Sequence, residues 1–242
     1  MQLLRSLIYW VGMALSTLVI APVGVLLFPF PHTVRYHFIR LWALFNLRWL
    51  KFSCGLGYVV DGKENIPTDE SFVVFCKHQS TWETMMLQEL FPRHVWVLKK
   101  ELLRIPVFGW GLAMLDPIAI DRSAGRKAIK QLIDQGTAAL AQGRAVVIFP
   151  EGTRTAYGSK GQYHAGGAVL AEKSGAPVVP VAHDAGRFWP RHGFVKRPGT
   201  IRVSVGPVIP SAGRKASAIL EDAENWIEGR MDELAALRTA EE

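Results

Sequence analysis

Only two cysteines, Cys54 and Cys76, occur in the 242 residues, too few for a disulfide framework. Neither stands in a cluster of metal-ligand spacing, so the sequence predicts a reducing, cytosol-facing environment and no metal site. Cys76 lies in an apolar run and reads as a small core hydrophobe. Acidic residues are missing from the first 60 positions, where Arg5, Arg35, Arg40, Arg48 and Lys51 give a charge of +5. Between Ser6 and Val34 there is no Asp, Glu, Lys or Arg at all. Familiar motifs are absent too. There is no G-x-S-x-G nucleophile elbow, no P-loop and no H-E-x-x-H zinc helix. Gly109-Trp110-Gly111 lacks the third glycine and the acidic partner of a dinucleotide fingerprint. With no serine or cysteine nucleophile signalled, direct transfer to an acceptor fits better than a covalent enzyme intermediate.

The uncharged N-terminal run is what the sequence has instead. About 20 residues of helix span a bilayer core, and Leu7 to Leu27 is long enough. Pro22, Pro29 and Pro31 predict a kink or an early end, so a spanning helix and a half-inserted hairpin both fit. The run is longer than a signal-peptide core and lacks a clear cleavage site. A second amphipathic stretch follows, Arg35 to Phe52, where basic residues alternate with Trp42, Phe45, Trp49 and Phe52. That pattern suits an anionic membrane surface, with a solvated basic face or a nucleic-acid patch as the blander readings. More basic residues follow the run than precede it, which places the downstream domain on the cytoplasmic side. Residues 221–242 reverse the charge, with a net of −6.

Beyond residue 58 short apolar, β-branched runs appear: Phe72–Cys76, Val95–Leu98, Ile118–Ile120, Ala145–Phe149, Val178–Ala182 and Ile201–Val205. Helical patterns alternate with them at Thr81–Leu90, Ala124–Ala141 and Gly166–Ser174, and a last one covers Ala216–Leu237. The alternation predicts an α/β fold with a mainly central sheet flanked by helices, preceded by an N-terminal hydrophobic membrane anchor. The expected division is a membrane-associated segment over 1–55 and an α/β domain over 56–242.

Four blocks could carry chemistry. His78 follows the first buried-strand run and precedes a helical pattern, the place where ligand crevices form in α/β sheets. A neutral imidazole there can take a proton, with a carboxylate holding its tautomer. On one continuous helix, residues five apart point about 140° away from each other. His78 and Glu83 can therefore meet only if His78 sits on the turn and Glu83 in the first helical turn. The competing reading makes Ser80 to Glu83 a capping box; the two roles can also combine. Next, Phe149-Pro150-Glu151-Gly152-Thr153-Arg154 follows another apolar run. Gly152 lets backbone approach a ligand, Arg154 can pair with a phosphate, and Glu151 could orient Arg154 or a substrate hydroxyl. An ordinary polar turn is the alternative. Third, Ile120-Asp121-Arg122 presents an arginine from a strand end, or else a surface ion pair of little worth. Fourth, Pro177 to His183 reads as a buried, pocket-shaping strand, with His183 as a satisfied structural histidine.

In this order and spacing the four blocks resemble the glycerolipid acyltransferase family in its bacterial form. The family's histidine and acid separated by four residues are matched by His78 and Glu83, with Glu where many members have Asp. Its second block is matched around Ile120-Asp121-Arg122, its third by Phe149 to Arg154 and its fourth by Val179-Pro180-Val181. The stretch from Lys99 to Trp110 is also family-like, and the similarity covers roughly residues 55–210. The resemblance implies that His78 deprotonates an acceptor hydroxyl, which attacks the thioester of acyl-CoA or acyl-carrier protein. The implied acceptor is the sn-2 hydroxyl of a 1-acylglycerol 3-phosphate, with another lysolipid, glycerol 3-phosphate or water as alternatives. Glu83 would orient His78, while Arg122, Glu151, Gly152, Thr153, Arg154 and Lys100 would bind substrate. No cofactor, metal or nucleic acid is implied, and the implied setting is the bacterial inner membrane with the domain facing the cytoplasm.

Overall fold

The computed structural model describes residues 1–91 and 93–240, with the backbone alone at Arg122. Two long helices come first, α1 (Gln2–Leu26) and α2 (His32–Cys54). Pro22 is accommodated inside α1, which runs on to Leu26 and stops before Pro29, while Pro31 caps α2. The two pack closely. A methyl added at Gly12 would come within 2.1 Å of Trp49 Nε1. Trp42 Nε1 donates to Thr17 Oγ1 at 3.0 Å, and Asn46 Nδ2 donates to Ser16 Oγ at 3.2 Å.

Seven strands form one sheet: β1 (Leu56–Asp61), β2 (Val73–Cys76), β3 (His94–Lys99), β4 (Ile118–Ile120), β5 (Ala145–Ile148), β6 (Val178–His183) and β7 (Gly199–Val205). Their spatial order is β1-β7-β6-β2-β5-β3-β4. All neighbours are parallel except β6 and β7. Every residue of β2, β5 and β6 is buried, which is why these strands read as unbroken apolar runs rather than alternating ones. Cys76 is among them, fully buried. The strand with no sequence signal is β1. It is a half-exposed edge strand that starts right after Gly55, whose left-handed φ of 68° terminates α2.

Six further helices connect and cover the sheet: α3 (Trp82–Leu90), α4 (Phe108–Ala113), α5 (Arg126–Ala141), α6 (Gly166–Ser174), α7 (Ala185–Phe188) and α8 (Ala216–Ala240). One face packs on α2 and α3 through Leu47, Leu50, Trp82 and Met86. The opposite face packs on α5, α6 and α8 through Leu132, Leu170 and Ile227. The chain leaves β2 toward β3 through α3, and leaves β5 toward β6 through α6. These departures run in opposite directions on opposite faces, so a crevice opens at the carboxyl ends of β2 and β5.

The α1 helix lies along this domain. Near its start, Ser6 Oγ accepts from the Lys196 backbone N–H at 2.9 Å, and Trp10 Nε1 donates to Phe194 O at 3.0 Å. Farther along, Ala21 touches α4 at Gly111, where an added Cβ would sit 3.1 Å away. The other side of α1 exposes Leu4, Leu7, Val11, Leu15, Leu18 and Val19. By length and composition this helix could cross a membrane, and its outward apolar stripe makes it a candidate anchor.

Candidate active site

His78 stands two residues beyond β2, in the crevice. Its Nδ1 lies 2.8 Å from Glu83 Oε1. Since a carboxylate only accepts, Nδ1 carries the hydrogen, and Nε2 is left as the acceptor. Glu83 is in the first turn of α3 and is fully buried. Its carboxylate also accepts backbone N–H bonds from Gln79 at 3.0 Å and from Ser80 at 2.9 and 3.0 Å. Capping and imidazole orientation, alternatives in the sequence, are thus combined in one side chain. Burial by itself raises the pKa of Glu83. The His78 hydrogen bond, the histidine charges nearby and the Ser80 amide outweigh it and hold the carboxyl below its usual value. The stability this carboxylate contributes is therefore present above the ordinary Glu range of about 4 and is lost as pH falls below it.

Glu83→Gln tests that arrangement. An amide can donate to Nδ1 and so favour the tautomer with hydrogen on Nε2, which has no lone pair there for a substrate proton. We expect turnover to fall by about three to four orders of magnitude with the fold retained. The stability gap to wild type should narrow on acidification. A variant within tenfold of wild-type turnover would show that the carboxylate only caps the helix.

The imidazole has a second neighbour. Phe149 stacks on it with ring centroids 3.9 Å apart and planes 16° apart, and Trp96 stacks behind Phe149 at 6.0 Å. Phe149 follows β5, the strand beside β2, so the parallel register delivers both rings to the same sheet edge. The loop after it is tied to the histidine's own backbone, with Thr155 N–H donating to His78 O at 2.8 Å.

Glu151 departs from the expectation that it meets substrate. Its side chain is fully buried and faces inward. Oε2 accepts from the His78 backbone N–H at 3.0 Å, and Oε1 accepts from Lys77 Nζ at 2.8 Å, Thr155 Oγ1 at 3.1 Å and Gly161 N at 3.2 Å. Lys77 is itself buried and also donates to Glu228 of α8 at 2.8 Å, which accepts from Tyr163 as well. Burial, with the Glu228 hydrogen bond second, raises the Tyr163 pKa well above normal. The acid in the Pro-Glu-Gly-Thr-Arg loop thus fixes the histidine from behind. Lys100 departs too: its ammonium pairs with Asp121, and it is Lys99 that lines the cavity. The Lys100 hydrogen bond, with help from Ser123, holds the Asp121 carboxyl down at about 2.

A cavity of about 540 Å³ opens in front of His78. Apolar walls come from Met13 and Ile20 of α1, Ile39 of α2, Leu98 of β3 and Leu112 of α4. Gly152, Thr153 and Arg154 line it as well, together with Lys99, Arg191 and His192. No Asp or Glu is among the lining residues. Arg154 Nε is buried without a hydrogen-bond partner among the described residues. The side chain of Arg122 lies outside the described residues. Also among the described residues, no group of three or more His, Cys, Asp or Glu is placed to hold a metal ion.

Comparison with known proteins fits this geometry. A family model described as "Acyltransferase" matches residues 58–184. That match covers more than half of the chain. The chain belongs to the acyltransferase family. A curated 1-acyl-sn-glycerol-3-phosphate acyltransferase of Pseudomonas aeruginosa is 41% identical over 242 residues, spanning 98% of this chain and 94% of that protein. The chloroplastic 1-acyl-sn-glycerol-3-phosphate acyltransferase BAT2 of Brassica napus is 29% identical over 86% of this chain and 59% of its own length. Among solved structures, the 1-acyl-sn-glycerophosphate (LPA) acyltransferase PlsC from Thermotoga maritima shares the fold with a TM-score of 0.79. It is 23% identical and is matched over 97% of this chain and 96% of that one.

Several residues that build this acyltransferase site escape sequence reasoning. Phe149 and Trp96 look like ordinary strand hydrophobes, and only the register shows them stacked in line with His78. Lys77 adjoins the histidine, and no pattern in the sequence marks it as buried. Arg191 and His192 carry one usable signal, a Pro-Arg-His-Gly turn. His183, by contrast, is the satisfied structural histidine expected: it is fully buried, with Nε2 2.9 Å from Lys77 O, and burial lowers its pKa.

Proposed function

We propose that this acyltransferase transfers a fatty acyl group from acyl-CoA or acyl-carrier protein to the sn-2 hydroxyl of 1-acylglycerol 3-phosphate, giving phosphatidic acid. The observation that carries the reading is a buried-carboxylate-oriented imidazole set in one cavity whose described lining is largely apolar, with Lys99, Arg154 and Arg191 and no Asp or Glu. In the reaction, His78 Nε2 takes the acceptor's hydroxyl proton as the oxygen attacks the thioester carbonyl. The new C–O bond forms, the C–S bond breaks, and the imidazolium returns its proton to the departing thiolate. Neutral His78 is regenerated. The apolar walls take an acyl chain, and Arg154, with its buried unpartnered Nε, takes the acceptor's phosphate with Gly152 and Thr153 beside it.

The α1–α2 hairpin, residues 1–55 with its connection, seats the enzyme on the cytoplasmic face of the inner membrane. Contact of α1 with the domain at both Ser6 and Ala21 favours a helix lying in the interface over one that crosses. A lysolipid then enters sideways while the soluble donor arrives from the cytosol.

Acyl transfer from labelled palmitoyl-CoA by detergent-solubilised enzyme, with and without oleoyl-lysophosphatidic acid, tests the reading. Phosphatidic acid should form only when the acceptor is present. Release of free fatty acid at the same rate without acceptor would make the protein a thioester hydrolase instead. Arg154→Ala should raise the acceptor KM by about ten- to a hundredfold, the loss of a charge-assisted pair. An unchanged KM would remove Arg154 from phosphate binding.

A further inference from the structure

The segment from Trp189 to Arg197, which contributes Arg191 and His192 to the cavity lining, connects α7 to β7. At its tip Pro190 to Gly193 forms a tight turn closed by Gly193 N–H donating to Pro190 O at 2.9 Å. His192, the third residue of that turn, has φ +58°. Left-handed backbone is costly for a residue with a side chain and persists where the surroundings impose it.

Those surroundings are unusual. Behind the turn, Lys196 is fully buried with no carboxylate partner among the described residues. Its Nζ lies 3.5 Å from the Trp10 ring centroid, 4.5 Å from that of Trp189 and 5.1 Å from that of Tyr9. It donates to Phe194 O at 2.8 Å, the same carbonyl that Trp10 Nε1 reaches. Burial lowers the Lys196 pKa to about 7, the aromatic faces hold its charged form, and with the Phe194 carbonyl it shares with Trp10 this cage clips the segment onto α1. In front of the turn, Arg191 Nη1 donates to Arg154 O at 2.9 Å, and Arg191 Nε donates to His192 Nε2 at 3.0 Å. Most of its N–H donors remain, in a cavity whose described lining holds Lys99 and Arg154 and no acid.

We propose that Arg191 is a second ligand for the acceptor's phosphate, beside Arg154, and that Lys196 is the positioning residue that holds it there through the aromatic cage. This rests on the acceptor being a phosphorylated lysolipid. In such an acceptor the phosphate lies on the carbon next to the reacting hydroxyl, so its site must share the cavity with His78. In a CoA thioester the whole pantetheine arm separates the phosphates from the sulfur, which places them away from the base.

The test is steady-state kinetics of the full-length, detergent-solubilised enzyme, varying oleoyl-lysophosphatidic acid and palmitoyl-CoA separately. Arg191→Ala should raise the lysophosphatidic acid KM by about ten- to a hundredfold and leave the palmitoyl-CoA KM within twofold. Arg191→Lys should recover part of the loss. Lys196→Met, which keeps an apolar stem in the cage, should raise the same KM while kcat stays within a few-fold, with circular dichroism confirming the fold. An unchanged acceptor KM in Arg191→Ala, or a rise in the palmitoyl-CoA KM in its place, overturns the assignment. A Lys196→Met variant indistinguishable from wild type overturns the positioning role. Wild-type enzyme that fails to acylate lysophosphatidic acid would instead refute the proposed acceptor, and this inference with it.

Discussion

Replacing His78 by alanine should cut acyl transfer by about a thousandfold or more while the protein remains folded. Chemically, the hydroxyl of an acceptor is a poor nucleophile until its proton has somewhere to go. Among the described residues the cavity lining contains neither Asp nor Glu to act as a base in place of His78, and the other histidine there, His192, already accepts from Arg191. Structurally, the side chain sits on a loop beyond β2, and truncation takes one hydrogen-bond donor from the buried Glu83, which keeps its backbone bonds from Gln79 and Ser80. The stacked pair with Phe149 accounts for about 1 kcal/mol, and the backbone bonds of residue 78 to Glu151 and Thr155 are untouched. The variant should therefore fold with a somewhat lowered melting temperature and keep a near-normal acceptor KM, with the activity deficit in kcat. Turnover within tenfold of wild type would end the case for a histidine base.

The second large effect is expected at Glu151, and it should look different. Glu151→Ala leaves a buried Lys77 ammonium with Glu228 as its one remaining carboxylate, and strips partners from the backbone N–H groups of His78 and Gly161. Removing one member of a buried ion pair typically costs about 3–5 kcal/mol, which in a chain of this size corresponds to roughly 10 °C in Tm. Turnover should fall as well, by about a hundredfold or more, because the base is no longer held in register. Thermal unfolding and kcat measured on the same preparation check both halves. If Tm is unchanged and only the acceptor KM rises, the carboxylate meets substrate after all and the buried network is incidental.

The contrast between these residues shows what the sequence could and could not disclose. His78 and Glu83 were legible as a pair because the strand-to-helix transition around them is signalled by composition, and only a turn between them lets the two side chains meet. The central strands β2, β5 and β6 were legible for a similar reason: burial on both faces demands unbroken apolar runs. The half-exposed edge strand β1 carries no such demand and left no trace. Glu151 was found as a residue of interest, but not its direction. Which way a loop carboxylate turns is decided by Lys77 and Gly161, one on another strand's end and one ten residues on. Lys100 and Lys99 are a still finer case, since adjacent residues point to different sides and only the backbone path says which faces the cavity. Arg191 lies 113 positions after His78, and nothing short of the fold brings them to one cavity.

One contact described above bears on the energetics of the proton once it has moved. The Phe149 ring lies nearly parallel to the imidazole at 3.9 Å. A neutral imidazole gains only ordinary dispersion from that face. An imidazolium gains the attraction of the ring's negative quadrupole besides, about 0.5–2 kcal/mol depending on how dry the site is. In the proposed reaction, where an imidazolium exists only while the tetrahedral adduct stands, Phe149 is a wall that meets the passing charge with its ring face. If His78 is the base proposed above, this ring and the anionic Glu83 at the imidazole's edge together make its environment complementary to the middle of the reaction rather than to either end.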